Sequence, residues 1–126
     1  MQTKGINHVN IVTADVDGTV RFYAELLGLR AGQRPQMIGV QGAWLYDAND
    51  HPIIHLLGRD AQGEDKTDTG AIDHVAFTCD DYDGALERCG ALGLEHLTRD
   101  FPDANFRQIV VTDPNAVMLE LNFAGG

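Results

Sequence analysis

The chain has 126 residues, 44% of them hydrophobic, which is enough for one packed core in a single domain. Nineteen Asp and Glu against nine Lys and Arg give a formal charge of −10, which repels phosphate backbones and anionic lipid and so excludes nucleic acid and membranes as expected partners. No apolar run nears the ~18 residues a membrane span needs. The first residues form no hydrophobic leader, and two cysteines, Cys79 and Cys89, are too few for a disulfide framework, so a reduced, cytoplasmic protein is expected.

In chain order, residues 6–13 alternate β-branched and apolar side chains with polar ones and predict a strand. Residues 17–28 carry Val20, Tyr23 and Leu27 at helical spacing and predict a helix that stops at Gly28. Strands are expected at 36–40, 43–47 and 52–57, followed by a polar, glycine-punctuated linker over 58–70. The pattern then restarts. A strand is predicted at 71–78, a helix at 81–92 with Tyr82, Leu86 and Cys89 on one stripe and a stop at Gly93, and strands at 94–99, 106–112 and 117–123. Asp113-Pro114-Asn115-Ala116 reads as a type I turn before the last strand. The expected class is α+β: two tandem βαβββ modules, about 5–57 and 71–123, within one domain spanning 1–126.

The restart is a repeat of residues as well as of pattern. Ile6-Asn7-His8-Val9-Asn10-Ile11 recurs as Ile72-Asp73-His74-Val75-Ala76-Phe77, and Asp17-Gly18 as Asp83-Gly84. Asp47 and Asn49 match Asp113 and Asn115, while Pro52-Ile53-Ile54-His55-Leu56-Leu57 lies over Val117-Met118-Leu119-Glu120-Leu121-Asn122. His8 is therefore the counterpart of His74, and His55 of Glu120.

Strand side chains alternate faces, so His8 points away from Val9 and Ile11, His74 from Val75 and Phe77, and His55 from Ile54 and Leu56. Glu120 likewise points away from Leu119, Leu121 and Phe123. If an approximate twofold axis relates the modules, the four groups converge. Three imidazoles and a carboxylate suit a divalent transition metal with room left for water or substrate. A carboxylate on an apolar final strand is costly to bury, and a cation is one of few groups that offset the cost. His51 and His96 break the repeat and are read as surface residues.

At these residues the chain resembles the vicinal oxygen chelate superfamily, which includes glyoxalase I, extradiol dioxygenases, methylmalonyl-CoA epimerase, fosfomycin resistance enzymes and bleomycin-binding proteins. Asn7-His8-Val9, Phe22-Tyr23-Ala24-Glu25-Leu26-Leu27-Gly28-Leu29, Asp73-His74-Val75-Ala76-Phe77 and the run from Asp113 to Leu121 carry the resemblance. It implies paired modules forming an open eight-stranded barrel around one divalent ion (Ni, Co, Zn, Mn or Fe), held by His8, His55, His74 and Glu120. It also implies a homodimer, in which one module pair comes from a single subunit or from two.

The activity the resemblance favours is a glyoxalase I-like lyase or isomerase that acts on a small oxygen-chelating substrate through an enediolate. Glu120 would be the base, and Trp44 and Tyr46 the groove walls. Val12 stands where that family carries a glutathione-binding Arg, and Arg59 where it carries Asn, which argues against glutathione. Arg59, Arg99 and Arg107 are the candidates to receive a substrate carboxylate or phosphate. Two alternatives stand beside this reading. An extradiol dioxygenase would use His8, His74 and Glu120, although Val110 replaces its usual Tyr and Ala116 its usual Gly. A bleomycin-like protein would bind a small molecule without a metal.

Overall fold

The computed structural model describes residues 1–35, 39–59 and 69–125. The chain forms two compact units, Met1–Lys66 and Thr67–Gly126. Most of the linker expected at 58–70, and residues 36–38 of the strand expected at 36–40, lie outside the described residues.

In the first unit β1 (Val9–Thr13) leads into α1 (Val16–Leu27), followed by β2 (Arg30–Gly32), β3 (Gly42–Tyr46) and β4 (Pro52–Gly58). The Asp15 carboxylate caps α1 by accepting from the Gly18 amide at 2.9 Å. Gly28 ends the helix at φ 69°, a left-handed conformation that glycine adopts without steric cost. That reversal delivers Arg30 straight to the edge of β3, where a strand forms at 30–32; of the strand expected at 36–40, the described residues 39 and 40 lie in no strand. The sheet order is β1-β4-β3-β2, with β1 and β4 parallel and the other neighbours antiparallel.

α1 packs against β2, β3 and β4. It buries Val16, Thr19, Tyr23 and Leu26 against Ile11, Leu45, Ile54 and Leu56. The buried stripe is thus rotated from the expected Val20, Tyr23 and Leu27: Val20 and Leu27 flank it, and Thr19 joins it by pairing its hydroxyl with that of Thr13 at 3.1 Å.

The second unit repeats the plan. β5 (His74–Cys79), α2 (Tyr82–Ala91), β6 (Leu97–Phe101), a 3-10 turn (Pro102–Ala104), β7 (Phe106–Thr112) and β8 (Met118–Ala124) give the sheet order β5-β8-β7-β6. Asp81 caps α2 through the Gly84 amide, as Asp15 caps α1. Leu119, Leu121 and Phe123 of β8 are buried together with Ile109 and Val111 of β7. Tyr82 sits edge-on to Phe123, with ring centroids 5.3 Å apart.

Several strand starts differ from the sequence expectation. β1 begins at Val9 instead of residue 6, its ladder with β4 starting where Val9 stands opposite Ile54. β6 begins at Leu97 instead of 94, since the Leu94 amide is taken by the Cys89 carbonyl at the end of α2.

Candidate functional site

Each unit turns one face of its sheet to its buried core and sets its candidate ligands on the other. In the first unit Ile54 and Leu56 are buried, while His55 between them lies on the opposite face beside Asn10 of β1 and Trp44 of β3, its register partners. His8 precedes β1 by one residue, and its ring stacks on that of His55 at 3.6 Å and 10°. Trp44 covers the other side of His55 at 4.0 Å and 12°.

His8 Nδ1 donates to the Asn7 side-chain carbonyl at 2.7 Å. The His55 ring bonds the backbone of Pro52, and because proline has no N–H, the imidazole must be the donor. Its Nε2 is buried and, among the described residues, has no hydrogen-bond partner. Burial, then the neighbouring His8, hold the His55 pKa below the ordinary histidine value and favour a neutral ring.

In the second unit His74 Nδ1 donates to the Asp73 carboxylate at 2.9 Å, and its Nε2 lies 3.5 Å from Glu120 Oε1. The bond to Asp73 raises the His74 pKa above its ordinary value, and the Glu120 charge adds to the effect. Glu120 is half-buried, and its Oε1 also accepts from Gln108 Nε2 at 2.9 Å. Gln108 is itself buried on the neighbouring strand β7.

The sequence-predicted ligands therefore meet as pairs, His8 with His55 and His74 with Glu120. Among the described residues, neither unit gathers three or more His, Cys, Asp and Glu side chains into a metal-holding group. The donors present nonetheless fit a divalent cation. His8 and His74 each engage Nδ1 with an oxygen, which in the neutral ring leaves the lone pair on Nε2; His55 keeps a buried Nε2 with no hydrogen-bond partner among the described residues, and a carboxylate stands beside His74.

Of the other candidates, Trp44 rests on His55, whereas Tyr46 braces β2 by donating its hydroxyl to the Gln33 carbonyl at 2.6 Å. Arg107 does not face the candidate ligands: its register partner is Phe123, and its guanidinium lies 3.9 Å over the Tyr82 ring on the core side of the sheet. Arg99 is exposed, on the same face as Gln108, and its charge reaches His74. His96 is exposed, as expected. His51 is half-buried, with Nε2 2.7 Å from the Asn7 carbonyl.

Asn7, Asp73 and Gln108 were not singled out in the sequence. A polar acceptor directly before the matched histidine in both repeats was the available signal for the first two; Gln108 offered none.

The family model described as Glyoxalase/Bleomycin resistance protein/Dioxygenase superfamily matches residues 5–121. Over 122 residues the chain is 27% identical to a protein of Arabidopsis thaliana named Glyoxylase I 4, covering 92% of this chain and 68% of that one. Among solved structures it is similar to a glyoxylase/bleomycin resistance protein/dioxygenase domain from Frankia sp. EAN1pec, with a TM-score of 0.80, 22% identity, and coverage of 98% of this chain and 93% of that one. It is also similar to the fosfomycin resistance protein FosX from Listeria monocytogenes, a variant of which was solved with Mn(II) and 1S,2S-dihydroxypropylphosphonic acid. The TM-score is 0.76 and the identity 20%, over 99% of this chain and 95% of that one. At these identities the structural likeness is one of fold.

Proposed function

Because the chain belongs to the Glyoxalase/Bleomycin resistance protein/Dioxygenase superfamily and has a glyoxalase-like fold, we propose that it is a divalent-metal-dependent enzyme, a glyoxalase I-like lyase or isomerase acting on a small substrate with two neighbouring oxygens. His8, His55 and His74 through Nε2, and Glu120 through its carboxylate, are the residues proposed to hold the ion. The observation that carries the reading is that His8 and His74 engage Nδ1 with an oxygen while His55 keeps a buried Nε2 with no hydrogen-bond partner among the described residues, so that each Nε2 is left to ligate. The Arabidopsis relative, by its name a glyoxalase I, supports the choice of reaction class.

Bound there, a divalent cation would polarise the two substrate oxygens as a Lewis acid. The chain's own part is to hold and move a proton. Gln108 fixes Glu120 Oε1 through its amide N–H, which leaves Oε2 to take a proton from the substrate carbon beside a carbonyl and to return it to the neighbouring carbon. Half-burial of Glu120 limits competition from water for that proton. Pairing of the two sheets into one open eight-stranded barrel, and assembly as a homodimer, belong to the same proposal.

Elemental analysis of untagged protein, with metal removed by chelator and returned, tests the site: about one ion per chain is expected in the wild type and a sharp loss in Glu120→Gln. Unchanged occupancy in that variant refutes the ligand set. Proton exchange in α-hydroxycarbonyl compounds and thiol hemithioacetals tests the reaction; oxygen consumption with catechols and no exchange would move the assignment to a ring-cleaving dioxygenase.

A further inference from the structure

The His55 ring is held on three sides. His8 covers one face at 3.6 Å and Trp44 the other at 4.0 Å, and both neighbours lie within about the same small tilt, 10° and 12°. The Pro52 backbone accepts from the imidazole. The β3–β4 register sets Trp44 directly opposite His55, so the indole is carried by the sheet and not by a loop. The His55 Nε2 is buried and, among the described residues, has no hydrogen-bond partner.

An imidazole turns about its terminal side-chain bond, and a turn of this ring would drive its edge into both flanking rings. A buried ring nitrogen with no partner is costly, and it persists where something fixes it in place. Here the fixing element is aromatic surface. It constrains the ring plane without supplying a hydrogen bond that would compete for the nitrogen.

We propose that Trp44 is a positioning residue for a divalent metal, clamping His55 so that Nε2 is presented in one orientation before the ion arrives. The inference rests on the reading of His55 as a ligand, and it assigns to Trp44 a role distinct from lining a substrate groove. A metal-free readout separates the two. In the metal-free wild type the His55 ring protons lie between two aromatic faces and carry ring-current shifts in the NMR spectrum; Trp44→Leu abolishes the Trp44 share, and Trp44→Phe keeps part of it.

Co(II) affinity is then measured by equilibrium dialysis, with the cobalt absorption bands as a spectroscopic signature. Trp44→Leu is expected to weaken binding by about ten- to a hundredfold, in the range for residues that orient metal ligands, and Trp44→Phe to recover most of it. The thermal transitions of the metal-free variants confirm folding. Ring-current shifts present together with equal Co(II) affinity in wild type and Trp44→Leu would overturn the clamp. Shifts present with no Co(II) binding by the wild type would overturn the metal reading and the clamp's function with it.

Discussion

His51 donates its Nε2 hydrogen to the Asn7 carbonyl across 2.7 Å, and Asn7 in turn accepts from His8 through its side chain. The start of β4 is thereby tied to the residue that orients a candidate ligand. His51→Ala removes one solvent-exposed hydrogen bond and is expected to cost about 0.5 kcal/mol, the low end for such a bond, in urea unfolding. Faster amide exchange at Val9 and weaker metal binding should accompany the loss; unchanged exchange there would show that the tie does not order the segment.

The turn Asp113-Pro114-Asn115-Ala116 places Ala116 at φ 67°, where an L-residue with a Cβ is strained. The matching turn in the first unit has Asp50 at φ 61°. Ala116→Gly relieves the strain and loses part of the gain to the greater freedom of glycine in the unfolded chain, so a net stabilisation of about 0.5–1 kcal/mol is expected. Thermal unfolding measures it, and a lower transition would refute the strain argument.

Much of this architecture was legible because the sequence states it twice. Alternation in Leu119, Leu121 and Phe123 identified the core face of β8, and the Gly28 stop ended α1 where the structure ends it. What escaped was set by contacts outside the local pattern. Leu94 looks like strand, yet its amide closes the end of α2. Arg30–Gly32 is too short and too exposed to carry a periodic signal, and it is a strand only because β3 offers an edge. In the site, His8, His55, His74 and Glu120 stood out by repeat, and their pairing follows from the parallel ladders. The orienting groups did not: a Gln on the neighbouring strand has no spacing rule connecting it to Glu120.

Leu121 is 1% exposed and pairs with Ile109, itself fully buried, in the β7–β8 ladder. Leu121→Ala is expected to destabilise the protein by about 2–5 kcal/mol, through lost burial and the cavity left behind. Denaturant unfolding tests this, and a loss well below that range would mean the neighbours collapse into the space.

Cys79 has its thiol pKa pushed up to about 11 by burial, with the Asp80 charge adding to the shift. The thiolate is the reactive form, so alkylation of the folded protein near pH 8 should be slow and should accelerate only as pH approaches the raised value. A thiol whose folded pKa exceeds its unfolded pKa keeps its proton better when folded, so the same shift removes stability as pH rises above the unfolded value of 9.0. Iodoacetamide labelling with and without urea reads the first effect; equal rates in both conditions would contradict the burial.

The parallel pairing of β1 with β4, and of β5 with β8, brings together the first and last strands of each unit. Parallel neighbours cannot be joined by a tight turn, so the contact closes a loop containing the helix and two further strands, at an entropic cost that local contacts do not carry. His8 with His55, and His74 with Glu120, sit on these closing seams. An ion held by both members of a pair would act as a clasp on the seam. It would bind only the closed chain and, at a hundredfold excess over its dissociation constant, add about 2.7 kcal/mol to the work of opening it.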